Sequence, residues 1–247
     1  MPAKVSPGNY ASSTHSHRAR LFRFSHGRRF TLALDLLEPG PHDRVLDFGS
    51  GDGHLLDLIA ARHPEAKLVA FEPLDFLRDE LRARLQHRDV AVAARFEDLP
   101  GGTYDRIACL EVFEHLPEPI LRQAIERLCT LLAPNGVLVV TVPLEIGWPG
   151  FLKYVAARVI TRSNRHLSFG EALGLIAGRA PSRDTGTDFL SHRGFDHRPL
   201  KRALLEAFRL EREHYSPVPL LGGWANAQVM WRLRSRAAST PRPITRP

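Results

Sequence analysis

The sequence predicts an α/β protein with a doubly wound, seven-stranded, mostly parallel sheet, an antiparallel edge strand and a helical lid insertion. Short apolar runs alternate with helix-periodic segments up to Pro143. The run "VLVVTVP" (137–143) is apolar almost throughout, as expected of a strand buried on both faces of a sheet. Residues 145–197 break the alternation, and a helix-periodic segment and two further apolar runs follow them.

The predicted elements follow in order along the chain. Apolar residues at helical spacing predict a helix over 18–37, which "EPGPHD" ends. Strands are predicted at "RVLDF", "KLVAFEP", "DVAVAARF", "YDRIACLEV" and "VLVVTVP", and helices at "GHLLDLIAARH", "PLDFLRDELRARLQ" and "EPILRQAIERLCTLLAP". Near the end, "RPLKRALLEAF" predicts a helix, while "RLEREHYSPVP" and "AQVMWRLRSR" predict an antiparallel pair of strands at the sheet edge.

The length of 247 residues suits one large α/β domain. We expect a flexible leader over 1–16, one domain over 17–236 and a disordered basic tail over 237–247, which is rich in Pro and Ser. Within the domain, 145–197 are predicted to form a lid and acceptor insertion. It would cover the carboxyl ends of the strands, where open α/β sheets bind ligands.

The composition predicts a cytoplasmic protein. Apolar residues make up 43% of the chain and charged residues 25%, which is ordinary for a globular protein. The two cysteines, Cys109 and Cys129, are too few for a disulfide framework and fit a reducing compartment. We expect no membrane-spanning helix, since apolar runs are too short, and no secretion signal at the polar, basic N-terminus.

The positive charge of the chain is concentrated at its two ends. The net charge is +7, yet residues 1–30 and 231–247 contain Lys and Arg without any acidic residue. Such ends could contact phosphate on nucleic acid or on a lipid head group, or could simply be solvated. Charge alone leaves these alternatives open.

A glycine-rich loop in "VLDFGSGDGHLL" (45–56) predicts a ligand site. Gly49, Gly51 and Gly53 lack Cβ atoms, so their backbone can approach a ligand closely. The segment has no "GK[ST]", and its G-x-G-x-G spacing differs from the dinucleotide pattern G-x-G-x-x-G. Asp47 and Asp52 are unsuited to a pyrophosphate and suit a cationic ligand, such as one carrying an amino group or a sulfonium.

Glu72 ends the second predicted strand, where an acid can accept hydrogen bonds from both hydroxyls of a ribose. The site therefore requires a nucleoside with a cationic tail. S-adenosylmethionine meets both requirements, and we predict it as the cofactor.

Five segments in order, "VLDFGSGDGHLL", "LVAFEP", "FEDLP", "YDRIACLEVFEHL" and "LLAPNGVLVVTVP", resemble the class I S-adenosylmethionine-dependent methyltransferases. The resemblance is strongest to the small-molecule subgroup that includes ubiquinone- and menaquinone-biosynthesis enzymes and glycolipid or O-antigen methyltransferases. It covers 30–143 well and 190–234 loosely. It implies a Rossmann-like methyltransferase fold and methyl-transfer activity.

The resemblance also implies where the cofactor binds. Asp47 and the glycine loop would face the methionine part, Glu72 the ribose and "FEDL" the adenine. The expected cofactor-binding residues are Asp47, Gly49, Ser50, Gly51, Gly53, Glu72, Pro73, Glu97, Asp98, Leu99, Leu110 and Glu111. Arg95 stands where relatives often carry an acid for the adenine amine, which leaves Glu97 or Asp98 for that contact.

The expected catalytic residue is His115 in "EVFEHL". A sulfonium is already a strong electrophile, so the enzyme must mainly align the acceptor and exclude water. A general base is needed only for a poor nucleophile such as a hydroxyl. The structural alternative is that Glu114 and His115 fix the loop before the next helix. No metal-ligand cluster stands out, so we expect no metal.

The insertion contains "GWPGFLKYVAARVITR" (147–162), whose pattern predicts an amphipathic helix. Its apolar side carries Phe151, Leu152, Val155 and Val159, and its basic residues are Lys153, Arg158 and Arg162. This pattern predicts either a helix at a membrane surface or a lid over the substrate, and the two are compatible.

We therefore expect methyl transfer, to an oxygen of a small or lipid-linked acceptor, by a cytoplasmic enzyme that touches the inner membrane face through 147–162. The alternatives are an RNA methyltransferase and a non-catalytic cofactor-binding scaffold. Nucleic acid is disfavoured because "LEVF" stands where base-modifying enzymes carry an "NPPY"-type motif.

Overall fold

The computed structural model describes residues 29–160, 169–181, 194–224 and 226–236. The strands are β1 (Arg44–Phe48), β2 (Lys67–Phe71), β3 (Val90–Ala93), β4 (Tyr104–Leu110), β5 (Leu132–Pro143), β6 (Phe208–Ser216) and β7 (Gln228–Ser235). The helices are α1 (29–37), α2 (His54–Arg62), α3 (Asp75–Leu85), α4 (Glu118–Leu131), α5 (Gly147–Ile160), α6 (Phe169–Ile176) and α7 (His197–Ala207). Short 3₁₀ turns lie at Phe96–Asp98, Phe113–His115 and Pro219–Trp224.

The seven strands form one sheet in the order β3-β2-β1-β4-β5-β7-β6. Strands β1 to β5 pair in parallel, and β7 pairs antiparallel with both β5 and β6. The predicted fold class is confirmed. The antiparallel strand β7 lies one place inside the edge, so the outermost strand β6 runs in the same direction as β5.

Two apolar layers cover the sheet because strand residues alternate between its faces. Leu46 and Phe48 of β1 pack in the layer that contains α4 and α7. Val45 packs in the opposite layer, with α1, α2 and α3. This arrangement leaves the carboxyl ends of the parallel strands as the edge at which loops converge.

The start of the insertion is attached to the end of the sheet. The backbone N–H of Leu144 donates to the carbonyl of Ala227 (2.8 Å), and α5 packs against α6 and the turn at Pro219–Trp224. None of the helices that the structure describes is long and apolar enough to cross a membrane. The predicted leader and tail, the 18–28 part of the first predicted helix, and Arg162 lie outside the described residues.

Candidate cofactor and acceptor site

The glycine loop connects β1 to α2 at the carboxyl edge of the sheet. Gly49, Gly51 and Gly53 all have positive φ, at 79°, 55° and 78°. The backbone N–H groups of Gly49 and Ser50 donate to the carbonyl of Phe71, at 2.8 and 3.1 Å. These bonds fasten the loop against the end of β2, because the strands are in parallel register with Phe48 opposite Phe71.

The three glycines differ in what surrounds them. A Cβ on Gly49 would lie 2.4 Å from Cγ2 of Val112, and one on Gly53 would lie 3.0 Å from Cδ1 of Leu85. A Cβ on Gly51 would have no heavy atom within 4 Å. Gly49 and Gly53 are therefore required by close packing, whereas Gly51 borders open space.

Glu72 lies beside that open space, and its position follows from the end of β2. Oε2 of Glu72 accepts from the N–H of Gly51 (2.9 Å), and Oε1 accepts from the N–H of Leu74 (3.0 Å). Burial raises the pKa of the carboxyl, while these two backbone donors and Arg78 lower it. Each carboxylate oxygen has a second lone pair, so both can still accept a ribose hydroxyl.

Asp47 is buried at the end of β1. Burial, together with the negative charges of Glu72 and Asp52, raises its pKa to about 8. A buried acid of this kind becomes a stable carboxylate once a cation lies beside it. The two carboxylates, Glu72 as a hydrogen-bond acceptor and Asp47 as a counter-charge, therefore fit a nucleoside with a cationic tail.

Asp52 is paired with an arginine in the folded chain. Its Oδ2 lies 2.7 Å from Nη2 of Arg84, whose Nε also donates to the Asp52 carbonyl (2.9 Å). Because Arg84 compensates this charge, Asp47 is the acid that suits a cationic ligand. Sequence reasoning missed Arg84, which lies on α3 and approaches the loop only in the folded chain.

An aromatic stack leads to the "FEDLP" segment. Phe71 stacks on Phe48 and on Phe96, with 4.8 Å between ring centroids in both pairs. Asp98 is held by Arg95 through Nε and Nη2, at 3.3 and 3.1 Å. Glu97 is exposed and is thus the acid in this turn with the freer carboxylate.

The residues after β4 form the next part of the edge. Glu111 has a φ of 57°, its N–H donates to the Thr141 carbonyl (3.0 Å), and the Thr141 hydroxyl donates to Oε1 of Glu111 (3.2 Å). Nη1 of Arg29 lies 3.8 Å from Oε2 of Glu111. A non-glycine residue in this conformation is strained, which is common at functional sites. Arg29 and Thr141 had no signal in the sequence.

His115 and Glu114 lie in the turn that follows. Nε2 of His115 is 3.9 Å from Oε1 of Glu114, whose side chain is fully buried. Burial, reinforced by Glu111, raises the pKa of Glu114 well above its ordinary value. Among the histidines of 145–197, His166 and His192 lie outside the described residues, and His197 begins α7. In the described part of the chain, no group of three acidic, His or Cys side chains is arranged to hold a metal.

The parallel-sheet fold and this edge define a nucleoside-binding α/β protein. The chain matches the methyltransferase domain family over residues 16–177. It is 26% identical over 171 residues to a ubiquinone biosynthesis O-methyltransferase of Leptothrix cholodnii, which covers 64% of this chain and 70% of the relative. It is 34% identical over 105 residues to a trans-aconitate 2-methyltransferase of Methylobacterium radiotolerans, and this match covers 42% of this chain and 40% of the relative.

Solved structures show the same fold. The N-methyltransferase NodS from Bradyrhizobium japonicum WM9, in complex with S-adenosyl-L-homocysteine, has a TM-score of 0.56 at 16% identity, covering 85% of this chain and 87% of NodS. A protein from Pyrococcus horikoshii OT3 has a TM-score of 0.60 at 11% identity, with 90% and 93% covered. The chain belongs to the methyltransferase domain family and is a class I enzyme that uses S-adenosylmethionine.

Proposed function

We propose that this enzyme transfers the methyl group of S-adenosylmethionine to an oxygen of a small or lipid-linked acceptor. The observation that supports methyl transfer is the pair of neighbouring buried acids, Asp47 and Glu72, of which Glu72 accepts from the N–H of Gly51, the glycine that borders open space. We assign the cofactor to the residues at this edge, namely Asp47, Gly49, Ser50, Gly51, Gly53, Glu72, Pro73, Glu97, Asp98, Leu99, Leu110 and Glu111.

His115 supports oxygen as the target. When bound, the cofactor supplies a methyl carbon whose bond to sulfur breaks as the bond to the acceptor oxygen forms. A hydroxyl acceptor must lose its proton in this reaction, and an imidazole is the usual group to take it. His115 lies beyond β4, beside the buried Glu114, which can orient the ring.

A lipid-linked acceptor is supported by exposed apolar side chains of the insertion and of the turn that packs against it. The large apolar side chains that the structure exposes include Leu152 and Val155 of α5, Leu173 of α6, Leu220 of the turn at Pro219–Trp224, and Val218 just before that turn. Leu220 is 97% exposed and Leu152 54% exposed. Apolar groups exposed together on neighbouring elements are typical of membrane and partner contacts. We propose peripheral contact with the inner membrane face through this surface.

The acceptor can be identified by incubating the purified enzyme with isotopically labelled S-adenosylmethionine and extracts of metabolites and lipids. Mass spectrometry should then find a labelled product with an O-methyl group. Calorimetry with S-adenosylmethionine and S-adenosylhomocysteine gives a parallel test of the cofactor site. If neither compound bound, or if the labelled product were methylated only at nitrogen or carbon, the proposal would be wrong in the corresponding part.

A further inference from the structure

An open cavity of about 330 Å³ lies between the insertion and the turn at Pro219–Trp224, apart from the residues assigned to the cofactor. Gly147 and Trp148 at the start of α5, Ile176 at the end of α6, and Gly223 of the turn at Pro219–Trp224 line it. Its size falls at the lower end of the range for small-molecule sites, which are mostly apolar. The four described lining residues provide an indole ring, an aliphatic side chain and glycine backbone, and none of these four is charged.

The cavity lies next to the start of the insertion, close in sequence to the carboxyl end of β5. Glu145 is two residues before Gly147, and the carboxylate of Glu145 lies close enough to Glu114 to act on its charge. A Cβ on Gly150 would lie 2.0 Å from the Glu145 carbonyl oxygen, so the first turn of α5 folds tightly onto this residue. The cavity and the edge that carries His115 are therefore connected through the same short segment.

The far wall of the cavity is held in place by Asn226. This buried side chain accepts from the N–H of Val218 (2.6 Å) and donates to the carbonyls of Val218 (2.7 Å) and Gly222 (2.5 Å). Three hydrogen bonds from one buried amide give the turn a defined shape. A preformed wall of this kind binds a ligand at a smaller cost in conformational entropy than a loose loop does.

We propose that this cavity binds the apolar part of the methyl acceptor, either a ring substituent or a short alkyl chain, while the acceptor oxygen lies at the edge near His115. This inference rests on the proposed function. The described part of the lining presents an indole ring and an aliphatic side chain, which suit an acceptor whose bulk is hydrocarbon.

Filling the cavity tests the proposal. Gly223 lines the cavity, so Gly223→Leu adds a bulky side chain to its wall, and the new Cβ would lie at an ordinary 3.6 Å from Cε1 of Tyr215. The matched control is Gly170→Leu on α6, where a Cβ meets no heavy atom within 4 Å. The probes are 4-alkylphenols of increasing chain length, titrated calorimetrically into protein saturated with S-adenosylhomocysteine.

Wild type and Gly170→Leu should bind each longer phenol more tightly, by up to about fourfold for each buried methylene, until the cavity is full. Gly223→Leu should lose this dependence on chain length. A flat series in the wild type, or an unchanged series in Gly223→Leu, would overturn the proposal.

A second pair of variants covers the case in which Gly223→Leu does not fold. Ile176→Asp introduces a carboxylate into the lining and should abolish the chain-length dependence, whereas Leu173→Asp, on the exposed side of the same helix, should retain it. Equal behaviour of this pair would also overturn the proposal. Titration of each protein with S-adenosylhomocysteine separates the proposed function from the proposed acceptor site. If the wild type did not bind S-adenosylhomocysteine, the proposed function would be wrong. If it bound S-adenosylhomocysteine but showed no dependence on chain length, only the proposed role of the cavity would be wrong.

Discussion

The carboxylate of Glu72 accepts a hydrogen bond from the backbone N–H of Gly51, at 2.9 Å across 21 positions of sequence. This bond joins the end of β2 to the middle of the loop that follows β1. It also aims the carboxylate at the one glycine of the loop whose missing side chain leaves open space. The proposed ribose contact and the proposed methionine contact are therefore parts of one hydrogen-bonded unit.

Replacing Glu72 should weaken cofactor binding strongly. Glu72→Gln removes a charged acceptor, and hydrogen bonds to charged groups contribute about 1.5–3 kcal/mol. We expect a rise of about 10- to 100-fold in the Kd for S-adenosylhomocysteine, measured by calorimetry. Glu80→Gln, an exposed acid on α3, is the matched control and should bind as wild type does. A Glu72→Ala variant with normal affinity would remove the basis of the site assignment.

Cofactor affinity should depend on pH through Asp47. Its pKa is raised to about 8 in the free protein, and a neighbouring cation favours the ionised form, so binding should release a proton below that pH. The affinity for S-adenosylmethionine should therefore increase as pH rises towards 8, by at most about tenfold per pH unit, and then level off. Calorimetry over this pH range, in buffers of different ionisation enthalpy, measures both the affinity and the released proton.

Asp47→Asn is the control for this pH dependence. It should bind the cofactor weakly, with little change in affinity over the same pH range. The stability of the ligand-free protein should change with pH in the opposite direction to the cofactor affinity. The folded protein keeps the Asp47 proton up to about pH 8, whereas the unfolded chain loses it near the ordinary pKa of 3.8. The free wild type should therefore become less stable as pH rises towards 8. Thermal unfolding of ligand-free Asp47→Asn should lack this decrease. An identical decrease in wild type and variant would contradict the raised pKa.

Two glycine substitutions should separate packing from ligand contact. In Gly49→Ala, φ is positive, and this backbone strain alone should lower the free energy of unfolding by about 1 kcal/mol or more. The new Cβ also clashes with Val112, which should raise the total loss to a few kcal/mol. Gly51→Ala carries only the backbone cost, since its Cβ enters open space. We expect Gly51→Ala to remain folded in thermal unfolding and yet to lose cofactor affinity. Normal affinity in Gly51→Ala would place the cofactor elsewhere.

The role of His115 can be tested once an acceptor is known. His115→Ala should lower kcat by about 10²- to 10⁴-fold, the range for general bases, while the Kd for S-adenosylmethionine stays unchanged. Steady-state kinetics at saturating cofactor would measure this. A structural role for His115 would instead alter thermal stability and cofactor affinity along with kcat, and His115→Asn would then restore most of the activity.

Membrane contact should depend on the exposed apolar residues of the insertion and of the turn at Pro219–Trp224. The double variant Leu152→Glu/Leu220→Glu adds charge to two of the most exposed of these side chains. We expect wild type to float with vesicles that contain anionic lipid and the double variant to remain in solution. The control is Ile120→Glu, which changes an exposed apolar residue on α4 and should not alter flotation. Flotation of all three proteins alike would contradict the proposed surface.

Several features of the site were predictable because they depend on local sequence. The strand–loop–helix at 45–56, the acid at the end of β2 and the almost wholly apolar run at 137–143 each express a local rule, and the fold class that they predicted is confirmed. The boundary between α4 and β5 was less predictable. The predicted helix runs to Pro134 and the predicted strand begins at Val137, whereas α4 ends at Leu131 and β5 begins at Leu132. The strand is irregular there, with Leu132 opposite Tyr104 and Val137 opposite Arg106.

The sequence by itself determined the order of strands and helices, the glycine loop and the identity of its acids, because periodicity and backbone freedom are local properties. Only the tertiary structure decided which acid is available to a cationic ligand. Arg84 pairs with Asp52 from another helix, whereas Asp47 is buried and has no such arginine partner among the described residues. It also decided that Gly51 faces open space and that Gly147 and Gly223 share a cavity. Charge compensation and enclosed volume arise from residues distant in sequence, and no local pattern encodes them.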